Sequence, residues 1–173
     1  MFLDAMTQSD ESCAVHWTRN GAISTLVSYC GMDLFEEGFD WDKFNEAKLL
    51  IQRHYSDHLK FLSELPYYHE TDSHIFVHAG IDPYKKSWKD TSNEDFIWIR
   101  EMFYKQPNMN TEKTVVFGHT PTLHFHDSAE ICFSSDGEKI AVDGACAYGR
   151  QLNLLEIKDG EYRYHSVQRG VTH

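Results

Sequence analysis

No stretch of this sequence approaches the roughly 20 consecutive apolar residues that span a bilayer, and no basic segment leads into an apolar one at its start. Neither membrane insertion nor export is expected, and the cytoplasm is the expected compartment. Basic residues are also short. The 16 Lys and Arg against 27 Asp and Glu leave a formal net charge of -11. A phosphate-backbone binder needs a clustered excess of cations to displace counterions, so nucleic acid is not an expected partner. The same imbalance repels anionic substrates at long range. Any phosphate site must therefore make positive potential locally, from metal ions or an arginine. Cysteine is sparse: Cys13, Cys30, Cys132 and Cys146 share no paired spacing. That fits neither a disulfide framework nor a structural zinc site and leaves reduced thiols. Internal repeats, low-complexity tracts and obvious linkers are lacking too.

What is there suits a folded protein. Hydrophobic residues make up 41% and charged residues 25%, and 173 residues are enough for one domain with a single core. Met1 to Met6 is apolar at helical spacing without a capping residue, and Asn20 to Cys30 repeats that spacing through Ile23, Leu26 and Val27 before Gly31. The strongest pattern runs from Trp41 to Leu65, where apolar residues recur every three or four positions until Pro66; it predicts one helix. The period then changes. Ser73 to His78 predicts a strand that breaks at Ala79-Gly80, and Ser92 to Tyr104 a helix with Ser92 and Asp95 in a capping arrangement. Lys113 to Phe117 predicts a second strand ending in the polar loop Gly118-His119-Thr120-Pro121. Short runs follow at Glu130 to Phe133, Lys139 to Val142, Leu152 to Ile157 and Tyr162 to Val167. Asp136-Gly137 and Asp159-Gly160 stand between them as hairpin turns.

Two histidines, His78 and His119, each follow a predicted strand where the chain turns through glycine, the edge at which layered α/β folds bind ligands. A neutral imidazole on such a loop can reach a metal; each can equally be a strand-end or turn residue with an ordinary hydrogen bond. Arg100 offers a planar fork for phosphate oxygens, or an ion pair with an acid such as Glu101. Asp143 ends a strand and can orient a ligand histidine or simply form an Asp-Gly turn. His124 and His126 flank Phe125 without an acid or cysteine beside them, and are read as surface residues.

In order and spacing, His78-Ala79-Gly80, Trp98-Ile99-Arg100, Val116-Phe117-Gly118-His119-Thr120-Pro121 and Val142-Asp143-Gly144 resemble the second half of the bacterial and bacteriophage-type serine/threonine phosphoprotein phosphatases. These belong to the calcineurin-like metallophosphoesterase superfamily. The symmetrical diadenosine tetraphosphatases look similar too. The resemblance implies an α/β (α+β) fold, a β-sandwich flanked by helices, of which this chain would hold an N-terminally truncated portion. Residues 31–72 resemble the helical insert over the active site. It further implies two divalent metal ions, manganese most often and iron or zinc otherwise. A hydroxide bridging them would hydrolyse a phosphomonoester, phosphoserine or phosphothreonine in a protein, without a phosphoenzyme. His78 and His119 would be ligands of one metal, Arg100 would bind the phosphate, and Asp143 would stand behind a ligand. Phosphorylated proteins or small phosphoesters would be the partners.

The chain also departs from the family. The signatures Gly-Asp-x-His-Gly, Gly-Asp-x-x-Asp-Arg-Gly and Gly-Asn-His-Glu are all absent from it. In relatives they supply the other metal's ligands, the bridging carboxylate, the asparagine ligand and the histidine that protonates the leaving group. A helix resembling Met1 to Met6 follows the last of them. The expectation is a site that cannot assemble two metals alone, a chain inactive by itself, and an exposed sheet edge and core face. The alternatives are a dinucleoside tetraphosphate hydrolase and a non-catalytic binding remnant.

Overall fold

A computed structural model describes residues 1–8, 11–36 and 38–168. It is a mixed α/β structure that divides into two compact units, one from Met1 to Leu65 and one from Pro66 onward. The first unit is helical. Its helices are α1 (Phe2–Thr7), α2 (Glu11–Thr18), α3 (Ala22–Cys30), α4 (Trp41–His54) and α5 (Ser56–Ser63). Met6, Leu26 and Ile51 are fully buried there, with Trp17 and Phe44 beside them. Burying one such side chain stabilises by about 1.5–3 kcal/mol, which explains how helices this short persist. α4 begins where the Asp40 carboxylate accepts the Lys43 amide at 2.8 Å, and its inward residues Phe44, Ala47 and Ile51 keep helical spacing.

The single helix expected from Trp41 to Leu65 is in fact two. It breaks at Tyr55, whose φ and ψ are -129° and 30°. The Tyr55 hydroxyl donates to the Tyr29 carbonyl at 3.3 Å and its ring meets Tyr29 edge-on, so contacts from α3 hold the break. Helix α2 has no clear periodic signal, and Ala14 and Trp17 are its core residues among those described.

The second unit contains a five-stranded open sheet in the order β1-β2-β3-β5-β4 and a separate two-stranded ribbon. The strands are β1 (Tyr68–Glu70), β2 (His74–Val77), β3 (Thr114–Phe117), β4 (Cys132–Phe133) and β5 (Lys139–Ala141), with β6 (Gln151–Lys158) and β7 (Glu161–Gln168) forming the ribbon. β2, β3 and β5 are parallel, and the outer strands β1 and β4 run antiparallel to their neighbours. Parallel strands are covered on both faces, which accounts for the unbroken apolar runs around Ile75, Val115, Val116 and Ile140. The register pairs Val77 with Phe117 and Phe117 with Ala141. Three strands therefore end level, and the chain leaves them at His78, Gly118 and Val142 on one edge.

The expected helix from Ser92 to Tyr104 is likewise split, into α6 (Asn93–Trp98) and α7 (Glu101–Tyr104). Its start is as expected, with Ser92 Oγ accepting the Asp95 amide at 3.0 Å. Its interruption at Ile99 and Arg100 has a packing cause. Ile99 and Phe103 press onto Gly80, where an added Cβ would run into the Phe103 ring and stand 2.9 Å from Ile99 Cγ2. The predicted turns hold. Asp159 and Gly160, at φ 51° and 81°, join β6 to β7 as a two-residue turn whose twist matches the strands. The stretch expected from Glu130 is shorter, with only Cys132 and Phe133 in the ladder. His124 closes a one-turn 3-10 helix and is exposed, while His126 is half-buried with Nε2 3.1 Å from the Glu130 carbonyl. Among the described residues, no helix is long and apolar enough to cross a membrane.

Candidate functional site

The level strand ends put His78, His119 and Asp143 on adjacent loops, and backbone hydrogen bonds stitch those loops together. The Gly118 amide donates to the His78 carbonyl at 2.9 Å, the Val142 amide to Phe117 at 2.8 Å, and the Thr122 amide to Asp143 at 2.9 Å. The imidazoles of His78 and His119 face each other with centroids 5.0 Å apart and planes at 52°.

His119 is bent into place. Its φ is 64°, and the Thr120 amide returns to the Gly118 carbonyl at 2.6 Å, so His119 is the middle residue of a γ-turn with positive φ. That conformation is uncommon for a residue with a side chain and is strained. Observed strain of this kind concentrates at functional positions. Its Nε2 is buried and has no hydrogen-bond partner among the described residues, and neither does the adjacent Thr120 Oγ1. An unsatisfied buried polar atom costs about 1–3 kcal/mol, so an orphan ring nitrogen beside a second imidazole is a specific reason to expect a ligand there.

Both rings are held below the ordinary histidine pKa. Burial is the main cause in each. For His78 the Asp143 carboxylate opposes the shift and Arg100 adds to it. For His119, Arg100 and then His78 add to it while Asp143 opposes. His78 keeps exposed surface on one side, yet its ring is flanked by enough protein to lose much of its hydration. Neutral rings at neutral pH are the form that binds metal.

Arg100 sits in the break between α6 and α7 at φ -132° and ψ -108°, exposed, with its charge felt by both imidazoles. The alternative ion pair with Glu101 does not form. Glu101 is bound by Lys105 at 2.7 Å, and Arg100 has no ion pair among the described residues. Asp143 is half-buried. Its Oδ1 accepts the Ala145 amide at 2.9 Å, the ordinary turn contact, while its charge acts on both rings. Trp98, read in the sequence only as part of the Trp98-Ile99-Arg100 motif and without a role, is a further member of the site. It stands edge-on to His119, centroids 5.4 Å apart at 85°.

The site fits a metal only in part. The paired, neutral imidazoles and the orphan Nε2 suit two ligand positions, but no group of three or more His, Cys, Asp or Glu able to hold a metal exists among the described residues. Two nitrogen ligands alone fall short of the three or four protein ligands that transition-metal sites use. The edge can therefore offer one side of a metal centre, with a guanidinium placed for an anion. No protein-family model matches this chain, and neither does any curated protein or any solved structure.

Proposed function

We propose that the edge formed by His78, His119 and Arg100 is part of a dimetal phosphoesterase centre, acting on phosphoserine and phosphothreonine in proteins. The observation that carries this reading is the buried, unpartnered Nε2 of His119 beside a second neutral imidazole. Bound divalent ions would supply Lewis acidity and neutralise charge on the phosphoryl group. His78 and His119 would hold one of them through ring nitrogens kept unprotonated by burial. Arg100, exposed and without an ion pair among the described residues, would grip two phosphate oxygens in the planar bidentate manner open to guanidinium. In a chain of net charge -11 that local cation offsets long-range repulsion of an anionic substrate. Asp143, whose charge acts on both rings, would favour the positive charge that accumulates beside them.

The chain by itself would be inactive, because the resemblance assigns the remaining ligands and the proton donor to signatures it does not contain. The absence of a three-ligand group among the described residues also favours a second reading, a binding module that uses Arg100 without turning substrate over. Zinc or manganese titration separates these. The phosphoesterase reading expects weak binding that is lost in His78→Ala and in His119→Ala; binding unchanged in both variants would overturn it. Manganese-dependent hydrolysis of p-nitrophenyl phosphate should not exceed that of His119→Ala. Turnover that vanishes in that variant would show that the remaining ligands come from other residues of this chain or from a second chain.

A further inference from the structure

A second group of reactive side chains lies at the other end of β2. The β1–β2 hairpin turns through Thr71, Asp72 and Ser73, closed by the Thr71 amide to the His74 carbonyl at 2.9 Å and the His74 amide to Thr71 Oγ1 at 3.0 Å. This places Ser73 Oγ 2.8 Å from Nδ1 of His74. From the separate β6–β7 ribbon, the hydroxyl of Tyr162 at the start of β7 lies 2.8 Å from Nε2 of His74. His74 is only 7% exposed, its ring roughly parallel to Phe76 and edge-on to Tyr162, so it has little room to turn. Ser73 is exposed and opens, with His74 and Tyr162, onto an open surface depression of about 700 Å³ that Lys113 and Thr114 also line. The amides of Asp72 and Ser73 donate to no group among the described residues.

We infer that Ser73, His74 and Tyr162 form a nucleophilic relay that makes Ser73 reactive toward small esters. The site is separate from the histidine pair and owes nothing to the phosphoesterase reading. Its parts are those that activated serines require: a hydroxyl hydrogen-bonded to a base, a base fixed by a third group, and backbone donors beside the reacting centre. With the ring proton on Nε2, the imidazole donates to the Tyr162 oxygen and accepts from Ser73. Burial keeps the His74 ring below the ordinary histidine pKa, so it is unprotonated and able to accept at neutral pH. In the reaction Ser73 Oγ adds to the ester carbonyl carbon as its proton passes to Nδ1. The carbonyl oxygen takes the negative charge, which the Asp72 and Ser73 amides, without another acceptor among the described residues, would serve to stabilise. Collapse breaks the carbon–oxygen bond of the leaving group, which receives the proton from Nδ1, and an acyl-serine remains for water to cleave. Tyr162 touches no reacting atom and is a positioning residue.

The test treats the full chain with a fluorophosphonate probe, which joins phosphorus to Oγ and expels fluoride, and locates adducts by peptide mass spectrometry. Ser73 should be labelled about 100-fold or more faster than the exposed Ser135, the lower end of what a positioned base supplies. The rate should fall as pH drops through the lowered His74 pKa, and Tyr162→Phe should slow it while leaving the fold intact. Ser73→Ala, at an exposed turn, should abolish the adduct and any p-nitrophenyl acetate burst. Equal labelling of Ser73 and Ser135, or an adduct rate that does not fall on acidification through the His74 midpoint located by ring-proton NMR titration, would overturn the proposal.

Discussion

At the amino end of β2, both ring nitrogens of His74 lie within hydrogen-bond reach of a hydroxyl, Ser73 on one side and Tyr162 on the other. At the carboxyl end, four residues on, His78 faces His119, and the buried Nε2 of His119 has no partner among the described residues. Burial depresses all three rings, so the pKa direction does not separate the two ends. Hydrogen-bond satisfaction does. A ring whose nitrogens are both engaged can pass a proton between its neighbours, whereas a ring with a vacant nitrogen in a buried place wants an external ligand. The backbone makes the same distinction. His74 lies in regular strand, while His119 occupies a strained turn that pays for itself only if the ring must point into the edge.

The largest test of this contrast removes the orphan nitrogen. His119→Ala should weaken zinc binding by more than the ~10–100-fold that loss of a supporting group typically causes, measured by titration calorimetry. Ser73→Ala should leave that binding unchanged; equal losses in the two variants would erase the distinction between the ends. Next in size is Gly80→Ala, where the new Cβ meets Phe103 and Ile99 beneath the loop that carries His78. Overpacking of this kind costs about 1–3 kcal/mol, and a denaturant midpoint that does not move would show the contact to be soft. Tyr162→Phe deletes one partner of a buried imidazole and should cost about 1 kcal/mol in the same assay.

A further effect is a drift with pH. His74, His78 and His119 have folded pKa values below the unfolded value of 6.5. The unfolded state therefore binds more protons just below pH 6.5. The stability these rings contribute is fully present above that value and is lost as pH falls through their lowered folded values. Ring-proton NMR titration should show these three midpoints below 6.5; a midpoint above it for His119 would contradict the burial argument.

Much of the sheet edge is legible in the sequence. Ser73 to His78 and Lys113 to Phe117 read as strands because β-branched and aromatic residues cluster there, and glycine after each marks where the chain must turn. His78, His119 and Asp143 stand out at those strand ends and Arg100 as a cation in an acidic chain, and the structure brings the charges of Arg100 and Asp143 to bear on both imidazoles. The helix breaks are not legible. Tyr55 and Arg100 lie in stretches whose apolar spacing is unbroken, and the contacts that interrupt them come from Tyr29 and Gly80, 26 and 20 residues away in the chain. Ser73 and His74 look like the start of a strand, since Tyr162, which completes their hydrogen-bonded row, is 88 residues beyond His74.

Side-chain periodicity and glycine placement are local properties of the chain, so the positions of strands, turns and charged groups follow from the order of residues alone. Which histidine nitrogens are satisfied follows from tertiary contacts instead. A hydrogen bond depends on atoms meeting within about 3 Å across distant segments, and burial then fixes the cost of leaving one unmade.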